Sequence, residues 1–248
     1  MTLSAESSCI GYDGGVVAVD SGFHRPTMAA CYLVEGESDV AIVETGTNDS
    51  MPRLLRALDE QGWSPEDVRY VIVTHVHLDH AGGAGSLMAA CPNATFLVHP
   101  RGARHMIDPS RLEASVRQVY GDETFDRDYG TLVPIPEERT RIMEHGDTAD
   151  LDGRTLVFED TPGHARHHFC IWDEATRGWF TGDTFGLSYR ALDTDRGEFI
   201  LPTTTPVQFD PAALHASVDR LMACRPRAAF LTHYSRVTDC LLYTSPSP

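Results

Sequence analysis

The chain has 248 residues, with 20 Lys and Arg against 36 Asp and Glu, and a formal net charge of -16 at pH 7. Such an acidic surface repels phosphate backbones, so no nucleic-acid partner is expected. No apolar stretch is long enough to span a bilayer and no apolar export signal follows Met1, so we expect a cytoplasmic protein without a membrane partner.

The pattern along the chain predicts one domain over residues 1–238. No linker, internal repeat or low-complexity segment interrupts this range. The final residues, 239–248, show neither apolar periodicity nor capping, so we expect a non-native or truncated tail there. The six cysteines lack a CxxC pair and lie mostly within apolar runs, which indicates buried thiols of a reducing compartment.

The N-terminal part predicts successive strands and a helix. Apolar, largely β-branched runs at 16–19, 30–34 and 40–43 are separated by Gly, Asp and Ser, which is typical of strands joined by turns. Pro52 is predicted in the first turn of a helix that carries Leu54 and Leu58 and ends at Gly62.

The next predicted strand, 70–73, leads directly into four potential metal ligands within six positions: His75, His77, Asp79 and His80. Side chains two apart on an extended segment point the same way, so the first two histidines can converge on one ion. The glycines that follow allow a tight turn, so that the other two ligands face a second position. Imidazole and carboxylate together suit zinc, and also iron or manganese.

Between 100 and 139 the apolar pattern is weaker, and we expect helices and loops that cover the mouth of the site. His105, Tyr120 and Tyr129 are pocket candidates there, although a surface or packing role is favoured for each.

Three later strands are each predicted to end in a further potential ligand. The apolar runs are 156–158, 179–180 and 228–231. The ligands that follow them are His164, after a Pro-Gly turn, Asp183 and His233. Because all three share one design, the repetition indicates a common site.

The last predicted helix begins at an Asp210 cap with Pro211 in its first turn. Its apolar residues form one stripe, which we interpret as core: Leu214, Val218, Leu221 and Met222.

With these residues the chain resembles the metallo-β-lactamase-fold hydrolases. Their pattern is HxHxDH, a His after a Pro-Gly turn, an Asp in a Gly-Asp pair and a final His, and every position is filled between about 16 and 237. The resemblance implies an α/β fold, a four-layer αββα sandwich with the site at one edge between the sheets. It also implies that His75, His77 and His164 hold a first metal, that Asp79, His80 and His233 hold a second, and that Asp183 bridges the two.

The expected cofactors are two divalent ions, with zinc (Zn2+) favoured over iron or manganese. Two ions bridged by a carboxylate can share a water and lower its pKa toward neutrality. This metal-bridging hydroxide would attack a polarised carbonyl, and Asp79, the catalytic residue by resemblance, would orient it and carry a proton to the leaving group. We therefore expect a hydrolase that cleaves an ester, thioester or lactone bond of a small-molecule substrate.

Two more side chains are expected to support the ligands. His168 follows the predicted ligand His164 closely, and we expect it to donate a hydrogen bond or support the loop rather than bind metal. Glu44 stands where the resembling families often have Asp, and a similar supporting role is expected.

The segments 162–164 and 182–185 most resemble those of uncharacterised small-molecule hydrolases that are related to the glyoxalase II-like thioesterases. Quorum-sensing lactonases usually carry a Tyr where Gly186 stands, which weakens a lactonase assignment. An iron-dependent oxidoreductase, persulfide dioxygenase-like or diiron, and a non-catalytic metal-binding sensor remain as alternatives. The complete ligand set argues against the mononuclear persulfide dioxygenase-like form and against the sensor, and the lack of a flavodoxin-like domain argues against the diiron form. The oligomeric state stays open, a homodimer included.

Overall fold

Two β-sheets lie face to face, and helices cover their outer sides. The computed structural model describes residues 9–195 and 197–238. The first sheet keeps the order of the sequence: β1 (Cys9–Tyr12), β2 (Val16–Asp20), β3 (Ala30–Glu35), β4 (Val40–Val43), β5 (Val68–Ile72), β6 (Thr95–Val98) and β7 (Thr140–Ile142). The second has the spatial order β13-β12-β11-β10-β9-β8: β8 (Thr148–Leu151), β9 (Arg154–Asp160), β10 (Phe169–Asp173), β11 (Gly178–Gly182), β12 (Ala228–Leu231) and β13 (Ser235–Val237).

Seven α-helices lie between the described strands, and the second and third of them follow β5 and include the end of the HxHxDH motif. They are α1 (Met51–Glu60), α2 (Leu78–Ala81), α3 (Ala84–Ala90), α4 (Pro100–Ile107), α5 (Ser110–Tyr120), α6 (Asp122–Asp128) and α7 (Pro211–Ala223). Both predicted helix starts are confirmed. Pro52 lies in the first turn of α1, and the Asp210 carboxylate caps α7 by accepting the Ala213 N–H at 3.0 Å.

Alternate residues of β3 point into two different cores. Leu33 packs with α1, through residues such as Leu54, in an outer core. Tyr32 packs between the sheets, in a core that includes Phe158 and Phe230. Successive side chains of a strand point to opposite faces, so a sheet covered on both sides has apolar residues throughout. The burial of every residue of β2 and β4 agrees with this.

The second sheet is covered on its outer face by α7. Val218 packs with Leu231 of β12, and Leu221 packs with Trp179 of β11. The layers are therefore helix, sheet, sheet and helix, and the predicted αββα sandwich is confirmed.

Parallel pairing places several strand ends at one edge of the sandwich. β4, β5 and β6 are parallel neighbours in the first sheet, and β11 and β12 are parallel in the second. The carboxyl ends of parallel strands meet at the same edge of a sheet, and polar side chains that follow them gather there. Six of the predicted ligands follow β5, β11 and β12, and His164 follows β9, which runs in the same direction as β11 because both are antiparallel to β10.

The region between 100 and 139 is helical, as predicted, and it packs against the motif. Phe125 of α6 is fully buried and lies in a small core with Leu78, the first residue of α2. This contact holds the helical region beside the site. The strand before the motif ends at Ile72, one residue earlier than predicted.

The predicted burial of the cysteines is confirmed for some of the described cysteines and not for others. Cys31, Cys91 and Cys170 are buried, whereas Cys224 is exposed at the end of α7. The predicted tail, 239–248, lies outside the described residues, and the single-domain interpretation stays a prediction. Within residues 9–195 and 197–238, no helix has the length and apolar character needed to cross a membrane.

Candidate metal centre

The HxHxDH motif lies where β5 ends and α2 begins. His75 and His77 lie in the extended loop after the strand, and α2 carries Asp79 and His80 in its single turn. The loop and the helix therefore present two pairs of side chains to two neighbouring positions.

Three imidazoles converge in a first cluster. One ring nitrogen from each of His75, His77 and His164 lies within 4.8 Å of the others. His77 Nδ1 is 2.8 Å from His75 Nε2 and 3.1 Å from His164 Nε2. The spacing suits three nitrogens around one ion.

Hydrogen bonds behind this cluster fix which nitrogens face inward. The Thr203 hydroxyl donates to the Asp183 carbonyl at 2.6 Å and so accepts from His164 Nδ1 at 3.1 Å. The Thr74 hydroxyl donates to Glu44 at 2.5 Å and so accepts from His75 Nδ1 at 3.1 Å. Since each Nδ1 carries its proton, both Nε2 atoms present lone pairs to the cluster.

A second cluster contains Asp79, His80 and His233. Asp79 Oδ2 lies 3.2 Å from His233 Nε2 and 3.6 Å from His80 Nε2. His233 Nδ1 lies 2.8 Å from the Met28 carbonyl and donates to it, which leaves Nε2 facing Asp79. The donor set is two nitrogens and a carboxylate oxygen, a mixture that zinc, iron and manganese all accept.

Asp183 lies between the two clusters. Its Oδ2 is 3.2 Å from His164 Nε2, in the first cluster. Its Oδ1 is 3.5 Å from His80 Nε2 and 3.6 Å from His233 Nε2, in the second. The structure thus brings all seven predicted ligands together.

Gly182, immediately before Asp183, has a φ of 47° in the left-handed region. A Cβ there would overlap the Thr74 hydroxyl and His168 Nε2. Glycine is therefore required both by the backbone conformation and by the close approach of the site's supporting side chains.

Glu44 and His168 have the supporting contacts expected of them. Glu44 Oε1 accepts from the hydroxyls of Thr74 and Thr232 and lies 3.4 Å from His80 Nδ1. His168 Nε2 accepts the backbone N–H of Asp183 at 3.2 Å. Each side chain holds a predicted ligand by contacting it or its backbone.

Several buried polar atoms of the site have no hydrogen-bond partner among the described residues. They are both ring nitrogens of His80, Oδ1 of Asp183 and Oε2 of Glu44. Buried polar atoms are nearly always satisfied in proteins, and unsatisfied ones point to an ion or water that binds there. The residues present therefore fit a bound cation.

The protonation states agree with this fit. Burial lowers the pKa of His75 well below its usual range and that of His77 to about 4, so both rings stay neutral, as metal ligation requires. Burial lowers the pKa of His80, but Asp79, Asp183 and Glu44 more than offset it and raise the pKa to about 10. The carboxylates around His80 thus favour a positive charge at the second cluster.

The weaker pocket candidates have different outcomes. Tyr129 packs on Phe125, and the nearby Asp79 adds to the effect of burial in raising the pKa of its hydroxyl. His105 lines a surface cavity, whereas Tyr120 is 58% exposed on α5.

Sequence reasoning missed Thr203 and the Met28 carbonyl, which orient two histidines. It also missed the place of Tyr189, whose ring centroid lies 6.3 Å from that of His233. None of these positions has a local signal, because each meets its partner only in the folded chain.

Comparison with known proteins gives consistent matches. A family model described as the metallo-beta-lactamase superfamily matches residues 24–233. The metallo-beta-lactamase fold-containing protein ST1585 from the archaeon Sulfurisphaera tokodaii is 26% identical over 223 residues, which span 88% of this chain and 77% of the relative. The crystal structure of ST1585 superposes with a TM-score of 0.76 at 25% identity and covers 92% of this chain and 83% of its own.

Two further proteins are similar. An N-acyl homoserine lactonase from Bacillus thuringiensis is 26% identical over 215 residues, which cover 77% of this chain and 74% of the lactonase. The structure of the Rm3 metallo-beta-lactamase superposes with a TM-score of 0.63 at 18% identity, covering 92% of this chain and 79% of its own. The similarity to the Rm3 structure shows a shared fold alone.

Proposed function

The chain belongs to the metallo-beta-lactamase superfamily, and from this membership we propose that it is a metal-dependent hydrolase of a small-molecule ester, thioester or lactone. The observation that carries the proposal is the split of the Asp183 carboxylate between two ligand clusters. A carboxylate with one oxygen toward each of two neighbouring positions suits a pair of ions.

In this proposal His75, His77 and His164 hold one divalent ion, zinc being favoured, and Asp79, His80 and His233 hold the other. Asp183 would offer one oxygen to each position. Ions at these positions would supply polarisation of a carbonyl oxygen and a water with a pKa nearer neutrality. The attacking group would then be solvent, and no nucleophilic side chain would be required.

Asp79 is the residue to which we assign proton transfer. Its side chain is 26% exposed, whereas those of His80 and Asp183 are 0% and 7% exposed, so it is the most accessible of the three to a substrate. Its neighbours outweigh the effect of burial and lower its pKa, which keeps the carboxylate ionised. An ionised carboxylate accepts a hydrogen bond from the attacking water and carries a proton to the leaving group.

The position of Tyr189 bears on which class of substrate bond the protein cleaves. Gly186, at the position where lactonases usually carry a tyrosine, has a φ of 101°, and a Cβ there would overlap the Leu201 carbonyl. The side chain of Tyr189, three residues later, lies beside His233 instead. A tyrosine therefore stands at the edge of the centre, and lactones remain among the proposed substrates together with esters and thioesters.

The test is a turnover screen of the metal-defined protein. The protein is purified without added metal, its metal content is measured, and thioesters, lactones, esters and the β-lactam nitrocefin are assayed at neutral pH after loading with zinc, iron or manganese. The proposal expects two metal equivalents and turnover of an ester, thioester or lactone that a chelator abolishes. Iron with oxygen uptake and no hydrolysis would contradict it.

Substitution of one ligand makes the test specific. His164→Ala is expected to lower metal content and turnover together, because it removes one of the three imidazoles of the first cluster. His215→Ala is the matched control, since His215 is exposed on α7, away from both clusters. Equal losses in the two variants would contradict the assigned role of His164.

A further inference from the structure

A groove lined by arginines lies beside the candidate metal centre. It is a cavity of about 390 Å³ whose walls include Arg101, Arg104, Arg166 and His167. We call it the arginine groove. It contains no Asp or Glu among its lining residues.

The fold explains why this groove adjoins the centre. β6 runs parallel to β5, so α4, which follows β6 and carries Arg101 and Arg104, begins at the edge where the HxHxDH loop lies. Arg166 comes two residues after His164, in the loop that carries that predicted ligand. The arginines therefore reach the groove from two separate segments.

His167 forms a shared wall between the groove and the first cluster. Its ring centroid lies 5.4 Å from that of His77 and 6.0 Å from that of His75. It lines the arginine groove on its other side. One side chain therefore separates the groove from the first cluster, a distance that a small molecule with a few bonds between its two ends would span.

The guanidiniums of the groove form no close ion pair with the described residues. Within the described part of the chain, no carboxylate oxygen lies within 4.0 Å of a guanidinium nitrogen of Arg101, Arg104 or Arg166, whereas Arg117 contacts Glu113, Asp122 and Asp126. Asp160 is the nearby carboxylate: its hydrogen bond with His99, at 3.0 Å, is the main cause that lowers its pKa, and the charge of Arg101 adds to the effect without an ion pair.

Three arginines without ion pairs are unexpected in a chain with a net charge of -16. Exposed guanidiniums close to one another repel, and an arrangement that gathers them favours the approach of an anion. A second cavity, of about 420 Å³, shares Arg101 and Arg166 with the groove but is also lined by Asp210, which caps α7, whereas Arg104 lines the groove alone. The arginine groove is therefore the better site for a negative charge.

We propose that the arginine groove binds an anionic group of the substrate, a carboxylate or a phosphate, while the bond to be cleaved lies at the metal centre. The inference rests on the hydrolase proposed above and narrows its substrates to anionic esters, thioesters or lactones. Guanidiniums present paired N–H donors that match both carboxylate and phosphate oxygens, so the two anions share one recognition chemistry.

The experiment compares matched esters that differ only in charge. The mono-4-nitrophenyl ester of glutaric acid is compared with its methyl ester, and with an ester of similar length that ends in a phosphate. The wild-type protein is expected to show a higher kcat/KM for the charged esters. The larger of the two charged preferences tells which anion is bound.

The arginine variants test which residues give that preference. Arg101→Gln and Arg166→Gln are each expected to lower the ratio of charged to neutral kcat/KM by roughly tenfold, because hydrogen bonds to charged groups are among the strongest polar contacts. Arg56→Gln, which alters an exposed arginine on α1, is the control and is expected to leave the ratio unchanged.

Direct binding separates this inference from the proposed hydrolase. Glutarate and inorganic phosphate are titrated calorimetrically into the wild type, the Arg101→Gln and Arg166→Gln variants, and His164→Ala, which changes no residue that lines the groove. Binding that persists in His164→Ala and weakens in the arginine variants supports the groove even if no ester is hydrolysed, a result that would overturn only the proposed function. Turnover of neutral esters with no charge preference and no anion binding would overturn the groove and leave the hydrolase standing.

Discussion

The carboxylate of Asp183 and the imidazole of His164 face each other, with Oδ2 of the first 3.2 Å from Nε2 of the second. The same carboxylate turns Oδ1 toward His80 and His233. One side chain thus serves two ligand clusters, and its removal is expected to affect both.

Asp183→Ala is predicted to lose metal from both clusters and, with it, turnover. The physical reason is that each cluster loses an anionic oxygen, so each cation position keeps fewer ligands and less negative charge. Metal stoichiometry is measured by mass spectrometry after dialysis against a weak chelator. Asp59→Ala, on the exposed face of α1, is the control. Full turnover in Asp183→Ala would remove the bridging assignment.

Glu44→Ala is predicted to weaken metal binding about 10- to 100-fold, the usual effect of removing a side chain that orients a ligand. Glu44 accepts from Thr74, which orients His75, and it lies 3.4 Å from His80 Nδ1. Competition with a chromophoric chelator gives the metal affinity. Glu44→Gln keeps an oxygen for the Thr74 hydroxyl and is expected to recover part of the affinity.

A purely structural role for Glu44 would give a different pattern. Both variants would then unfold at lower urea concentration while the folded fraction bound metal as tightly as the wild type. That outcome would contradict the positioning role.

Gly182→Ala is predicted to damage the centre far more than an equivalent change elsewhere. Both Gly182 and Gly153 have positive φ, so an alanine at either position costs about 1–2 kcal/mol of backbone strain. Only at Gly182 would the new Cβ also overlap Thr74 and His168, while Gly153 has open space around it. Urea unfolding and chelator competition measure the two effects. Equal metal affinity in the two variants would show that the close approach at Gly182 is unimportant.

Arg154→Met is predicted to lower the free energy of unfolding by about 3–5 kcal/mol, the range for breaking a buried ion pair from one side. Arg154 Nη2 lies 2.6 Å from the fully buried Asp173 in the second sheet, and Nη1 donates to the Glu35 carbonyl at the end of β3 at 2.8 Å. The residue therefore joins the two sheets. Urea denaturation measures the loss, and a change below about 1 kcal/mol, the range for an exposed pair, would contradict this role.

Much of the fold could be predicted from the sequence because its central strands, such as β2 and β4, are short, rich in β-branched residues and buried on both faces. β4 matches its predicted range, 40–43, and the start of α7 could be predicted from Asp210 and Pro211 alone. The site after β5 could also be predicted, because its ligands lie close together in the sequence and form a local pattern.

The contacts that orient the ligands could not be predicted, because they join distant parts of the chain. His233 meets the Met28 carbonyl 205 positions away, and His164 meets Thr203 39 positions away. The arginine groove has the same origin, since Arg101 and Arg166 meet only when α4 and the His164 loop are placed at one sheet edge. Backbone carbonyls and isolated hydroxyls leave no pattern that a reader of the sequence could find.

We propose that Asp183 joins two cation positions, one in each cluster. The most direct measurement is anomalous diffraction at the zinc absorption edge from crystals of the zinc-loaded protein. We predict two peaks about 3.5–4 Å apart, the separation usual for paired catalytic ions, one among His75, His77 and His164 and the other among Asp79, His80 and His233. A single peak in fully loaded crystals, or two peaks with Asp183 in contact with only one, would contradict it.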